Sequence, residues 1–326
     1  MADKAAISVR QLTKCFGNFT ALEDITFSVE QGRICGFIGP NGAGKTTTLR
    51  ILATLMQPDA GEINILGYNL LNIADAKLIR YRIGFMPDSF GLYPDMTASE
   101  YLEFFAAAYR IELQQRQRVV DEILEIIDLS DKRDVLVCEL SRGMQQRLSL
   151  GRCLVHSPDI LLLDEPASGL DPRARIELME LLRELREMGK TILISSHILA
   201  ELHLLCDDIV LIDHGAVRYH GSIDEARQIF HGRHNCIRLR CHSDDPMVDP
   251  AELIGRVDWV ERVAKQKNGD LLVWVDVARK PHDLAQICLE KELRLEKLLE
   301  DEPHLGDIFM HFISDRADSS SKDVRE

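Results

Sequence analysis

The stretch Gly39-Pro40-Asn41-Gly42-Ala43-Gly44-Lys45-Thr46 constrains this chain more than any other. It fits the pattern GxxxxGK[ST], and it stands between an apolar run that ends at Ile38 and a helical stretch that opens at Lys45. Glycines let the backbone curl until successive amide N–H groups face one point. The N-terminus of a helix adds partial positive charge at that point. A chain of phosphates suits such a turn. Lys45 is placed to reach the β- and γ-phosphates, the Thr46 hydroxyl to ligate Mg²⁺, and Thr47 continues the same turn.

A second constraint lies downstream. Ile160-Leu161-Leu162-Leu163-Asp164-Glu165 is an apolar strand that ends in two acids. Carboxylates at the end of a buried strand are costly unless something uses them. Asp164 is placed to hold Mg²⁺, completing the site that Thr46 begins. Glu165 is then placed to orient and deprotonate an attacking water. By itself, an apolar strand followed by two acids is often an ordinary strand end; the phosphate cradle upstream gives it weight.

The elements around these motifs alternate. Residues 7–13, 22–29 and 33–38 read as strands, 45–56 as a helix and 61–66 as a strand. Thr97 with Glu100 forms a capping box, followed by Tyr101, Phe104, Phe105 and Tyr109 at helical spacing, a stripe read as core. A helix over 116–128 follows, then buried strands at 160–163 and 191–195. Between the two strands, Asp171-Pro172 opens a helix that Gly189 ends; Ile176, Met179, Leu182, Leu185 and Met188 mark its expected buried face. Strand–helix–strand order of this kind implies right-handed parallel crossovers and an α/β sheet. Beyond His231 the pattern changes. Strands at 235–241, 257–265, 270–277 and 293–298 with helices near 250–255 and 281–290 give the order βαββαβ, the ferredoxin-like arrangement. A last helix is expected at about 304–314, on Leu305, Ile308, Phe309 and Phe312, before a polar tail.

Composition narrows the function. The 326 residues suffice for one large domain and a smaller one, and a net charge of −14 argues against a nucleic-acid partner. No apolar run is long enough for a membrane span, and the start MADKAAISVR lacks the pattern of a signal peptide. A cytosolic location follows, with any membrane role acting through a partner. The eight cysteines include no CxxC pair and read as reduced core residues; His203 and Cys206, one helical turn apart, read as packing.

The most discriminating segment is Leu140-Ser141-Arg142-Gly143-Met144-Gln145-Gln146-Arg147, which resembles the LSGGQ-type signature of ATP-binding-cassette (ABC) ATPases. Ser168-Gly169-Leu170-Asp171 resembles their D-loop, Ser195-Ser196-His197 their switch histidine, and Phe16 the aromatic that stacks on adenine. For Phe16, plain core packing remains an alternative. These motifs cover about residues 7–225. The resemblance implies an α/β P-loop NTPase fold of the ABC ATPase type, with a RecA-like core, an antiparallel β subdomain and a helical subdomain over about 88–155. The cassette would span 1–230, a small α+β accessory domain 231–314, like that of some ATPases serving ABC-2-type exporters, and a disordered tail 315–326.

The resemblance also implies a mechanism. Two cassettes, here expected as a homodimer, face each other head to tail. Each ATP lies between the cradle of one and Ser141 and Gly143 of the other; Asp171 couples the two sites, and His197 holds the γ-phosphate and the water of Glu165 in line. An integral membrane permease is the implied partner, with the chain peripheral at the inner face of the cell membrane and transport in the export direction. Two positions depart from the family pattern. Asp88 stands where Gln is usual, still offering oxygen to Mg²⁺ but adding negative charge beside the phosphates; Arg142 and Met144 stand where Gly and Gln are commonest. A soluble ABC ATPase without a transport role is the competing reading, against which stand the single cassette, the lack of coiled-coil inserts and the acidity. A non-hydrolysing regulatory subunit is disfavoured by the presence of Lys45, Asp164, Glu165 and His197.

Overall fold

The computed structural model describes residues 5–301 apart from 90, 198–201, 203–204, 232–233, 244, 246–248, 267 and 277. The chain divides into two compact units, Met1–Ile223 and Asp224–Glu326. In the first, an antiparallel sheet has the order β2-β1-β4-β5, from β1 (Ala5–Phe16), β2 (Phe19–Glu30), β4 (Ala60–Ile65) and β5 (Tyr68–Asn69). A six-stranded sheet has the order β10-β9-β3-β8-β7-β6. Its strands are β3 (Ile34–Ile38), β6 (Ile83–Met86), β7 (Ile160–Asp164), β8 (Thr191–Ser196), β9 (Asp208–Asp213) and β10 (Ala216–Ser222). Every pair from β6 to β9 is parallel, and β10 closes the edge as an antiparallel hairpin with β9. Strands β3, β7 and β8 are buried at every residue, which is why they read as unbroken apolar runs. The register sets Ile38 beside Ser196 and Asp164 beside Ser195. The carboxyl ends of β3, β7 and β8 therefore open onto one place, the usual position of a ligand crevice in such sheets.

Helix α1 (Lys45–Leu52) is shorter than the expected 45–56: the chain turns at Ala53 and Thr54 takes a left-handed φ of 60°. Helix α2 (Ile73–Arg80) is capped by Asn72, and α3 (Ala98–Ala108) has the Thr97–Glu100 capping box. The aromatic stripe is only half core. Tyr101 is fully buried, whereas Phe104 is 45% exposed, held edge-on between Tyr93 and Phe105. Helix α4 (Leu113–Ile126) starts three residues before its expected place, and α5 (Arg142–Leu154) follows Ser141 as N-cap. In α6 (Pro172–Glu187), Asp171 caps the start, accepting from the Arg173 and Ala174 amides. Lys190 N–H to Leu185 and Gly189 N–H to Arg186 close the end as a Schellman turn, with Gly189 at φ 85°. Its buried face is Leu178, Leu181, Leu182 and Leu185 with Met179, rotated from the expected one; Ile176 and Met188 are exposed, because the first lies on the outer face and the second is already the C-cap.

Helix α7 (Ile223–His231) begins at the boundary of the units. The second unit contains β11 (His234–Ser243), α8 (Pro250–Gly255), β12 (Val260–Lys265), β13 (Leu271–Asp276), α9 (Pro281–Glu290) and β14 (Leu293–Asp301). Its sheet is antiparallel throughout, in the order β12-β13-β11-β14, the topology of a split βαβ unit. Its core gathers Ile237, Leu239, Val273, Ile254, Leu284 and Cys288. The expected helix at 304–314, the tail and His203 lie outside the described residues. All eight cysteines are free, but Cys15 and Cys138 are exposed and so not core residues. Among the described residues no helix is long and apolar enough to cross a membrane.

Candidate nucleotide-binding site

The turn between β3 and α1 has the backbone its glycines predict. Gly42 has φ 83° and Gly44 φ 109°. A Cβ on Gly44 would strike the Leu22 side chain, and one on Gly39 would strike the Ile212 carbonyl. Gly44 is the N-cap of α1 without a side-chain cap, and no acid stands in the first turn. The first amides of α1 thus have no partner within the helix and point outward with the positive end of its dipole. Lys45 is buried, and its Nζ curls back to donate to Gly39 O at 2.7 Å and Pro40 O at 3.2 Å. Gly39, Pro40 and Ala43 build the turn; Asn41, Gly42, Gly44, Lys45, Thr46 and Thr47 line a cavity of about 650 Å³.

The two strand-end carboxylates differ. Asp164 is buried; its Oδ1 accepts from the Ser195 hydroxyl at 2.7 Å, while Oδ2 has no hydrogen-bond partner. Burial raises the Asp164 pKa, the hydrogen bond from Ser195 opposes that rise, and the charges of Asp88 and Glu165 add to it. A buried carboxylate oxygen without a hydrogen-bond partner, on a side chain that feels the charge of two other acids, fits a bound cation well. Among the described residues no group of three or more His, Cys, Asp or Glu side chains is arranged to hold a metal. Mg²⁺ is commonly held by one or two protein oxygens, with water and phosphate supplying the rest. Glu165 has a left-handed φ of 50°. Its Oε2 lies 2.7 Å from His197 Nδ1 and its Oε1 3.4 Å from Lys45 Nζ. Asp88, Glu165 and His197 all line the same cavity as the cradle.

The same cavity is also lined by Phe16, which is 46% exposed, and Phe19, 63% exposed. Exposure of this size removes core packing as the role of Phe16. Phe19 pairs with Phe16 across the hairpin turn and was not expected from the sequence; aromatics on both sides of Gly17-Asn18 were its only local signal. Ser195 was likewise missed as the partner of Asp164, since the bond depends on the register of β7 against β8.

Ser141, Gly143 and Asp171 lie elsewhere. They line a second cavity of about 470 Å³ that shares no lining residue with the first. Within the chain both polar residues cap helices: Ser141 Oγ accepts from the Met144 amide at 3.3 Å, and Asp171 caps α6. The two groups of expected residues therefore line different cavities of one chain.

A parallel sheet whose strand ends carry a glycine-rich phosphate turn, a buried aspartate and a catalytic-type glutamate defines a P-loop nucleoside triphosphatase. The ABC transporter family profile matches residues 22–168. The Nod factor export ATP-binding protein I of Burkholderia lata is 43% identical over 211 residues, 65% of this chain and 69% of the relative. The protein of the same name from Sinorhizobium fredii is 38% identical over 224 residues, 68% and 65% of the two chains. Among solved structures, an ATP-binding subunit of an ABC transporter superposes with a TM-score of 0.61 at 33% identity, covering 69% of this chain and 93% of that one. A dimeric ATP-binding cassette in a post-hydrolysis state with ADP and Pi gives 0.60 at 28% identity, covering 67% and 98%. The chain belongs to the ABC transporter family and is an ATP-binding, ATP-hydrolysing transporter subunit.

Proposed function

We propose that two copies of this chain pair head to tail, close two ATP sites between them, and drive export through a separate integral membrane permease. The observation that carries this reading is the division of the half-sites between two cavities with no residue in common. The dimeric relative and the export proteins among the relatives support it. In each site Phe16 stacks on the base, the amides of residues 39–47 and Lys45 hold the phosphates, and Ser141 and the Gly143 amide of the other copy close over the γ-phosphate. Thr46, Asp164 and Asp88 would hold Mg²⁺, which neutralises charge on the β- and γ-oxygens when bound. Glu165 orients the water and takes its proton, His197 steadies Glu165 through their 2.7 Å contact, and Asp171 couples the sites. The chain sits in the cytoplasm, peripheral at the inner membrane face, with no nucleic-acid partner. The unit beyond Ile223 serves as the accessory domain of an ABC-2-type exporter ATPase.

Dilution tests the shared site. ATPase activity per chain is expected to fall as the protein is diluted below its dimer dissociation constant. Constant specific activity through that range contradicts the reading.

The permease has a place to dock beside Asp88 and α3. A groove of about 720 Å³ is lined by Tyr81, Phe85, Phe105 and Tyr109, by Arg50, Lys77, Arg80 and Arg152, and by Pro87, the neighbour of Asp88. Asp88→Gln is expected to leave ATP binding intact and to change permease-stimulated hydrolysis more than basal hydrolysis. Equal effects on the two rates, measured with and without the permease in vesicles, restrict Asp88 to the metal site.

A further inference from the structure

Consecutive residues at the start of α5 face different cavities. Ser141 and Gly143 line the second cavity; Arg142, between them, lines the first together with Lys45, Glu165 and His197. Its guanidinium reaches the turn that follows Glu165. Nη2 donates to Ser168 O at 3.3 Å. The group lies flat where a side chain on Gly169 would begin: the position of that Cβ falls 2.6 Å from Arg142 Cζ and 3.0 Å from Nη1. Gly169, at φ 70°, gives up a side chain and takes a left-handed backbone there. Gln146, one turn further along α5 and buried, donates to Pro166 O in the same turn. Two donors on one helix face thus hold two carbonyls of the segment between Glu165 and Asp171. Helix α5 also runs close to the start of α6, since a Cβ on Gly143 would come 2.8 Å from the Ala174 Cβ.

We propose that Arg142 is a positioning residue: it ties the helix end that faces one ATP to the turn that carries Glu165 against the other ATP, and so makes hydrolysis at the two sites cooperative. The inference rests on the head-to-tail reading above. Arginine suits the task because its planar fork can lie against the glycine while an N–H points at the carbonyl. A flexible ammonium cannot do both. When the second cavity closes on nucleotide, Ser141 moves with α5, and Arg142 and Gln146 carry that movement to the turn behind Glu165. The charge of Arg142 also falls in the cavity that holds Asp88, balancing the extra carboxylate there.

The test is the ATP dependence of hydrolysis by the full chain. The wild type is expected to show a Hill coefficient between one and its ceiling of about two for two sites. Arg142→Ala should bring it to one and lower kcat more than it changes KM. Arg142→Lys keeps the charge without the fork and should also stay at one. Gly169→Asn, tolerated at left-handed φ, fills the space of the guanidinium from the other side and should match Arg142→Ala; the double variant should lose no more than either. A cooperative Arg142→Ala, even with lowered kcat or melting temperature, makes the residue merely structural and overturns the proposal. A wild type that forms ATP-dependent dimers but has a Hill coefficient of one overturns it too. A wild type with no ATP-dependent dimer overturns the head-to-tail reading instead.

Discussion

Glu165→Gln is expected to bind ATP about as tightly as the wild type and to hydrolyse it roughly 10²–10⁴-fold more slowly, the usual worth of a general base. The substitution keeps size and hydrogen-bonding reach. It removes the negative charge that sits 3.4 Å from Lys45 Nζ and 2.7 Å from His197 Nδ1. The variant should therefore accumulate as an ATP-bound dimer that gel filtration resolves from the monomer. Turnover within about a factor of ten of the wild type, well short of the loss a base accounts for, moves the base elsewhere in the cavity.

Lys45→Ala is expected to fail one step earlier, at binding. The ammonium bridges Gly39 O, Pro40 O and Glu165, so it both shapes the turn and supplies the charge the phosphates meet. A charge-assisted hydrogen bond contributes about 1.5–3 kcal/mol, so ATP affinity should drop by roughly 10- to 100-fold. Equilibrium binding of a fluorescent ATP analogue reads this directly. The pairing with Glu165→Gln matters: one variant should bind without turning over, the other should hardly bind. The reverse pattern would falsify the assignment of both residues.

The cradle was legible in the sequence because its chemistry lies in eight consecutive residues with a strand before and a helix after. The carboxylates were legible for a similar reason: Asp164 and Glu165 end an apolar run. What escaped depends on residues far apart. Ser195 is 31 positions from Asp164, and only the register of β7 on β8 brings them together. Arg142 read only as a departure from the residue commonest at its position; its reach to Ser168 and Gly169 is a tertiary fact. Periodicity found Met179, Leu182 and Leu185 on the buried face of α6 but missed its edges, because it registers where apolar residues repeat and not which side a neighbour covers, leaving Ile176 and Met188 in solvent. Phe104 failed for the same reason, carrying the right spacing on an uncovered side.

The place of β3 in the sheet has a consequence for how the protein is made. This strand ends at Ile38, yet its neighbours on either side are β8 and β9, with Ile34 beside Ile192 and Cys35 beside Asp208. The turn that follows β3 presses Gly39 against the Ile212 carbonyl. A ribosome that has finished the phosphate turn must add about 170 further residues before the Ile212 carbonyl exists for Gly39 to rest on, about 10–30 s at ordinary elongation rates. Pairings so distant in the chain close late, after local helices and hairpins have formed. Through that interval the apolar run Ile34–Ile38 waits without the strands that flank it, and a chaperone that shields it has its opportunity then.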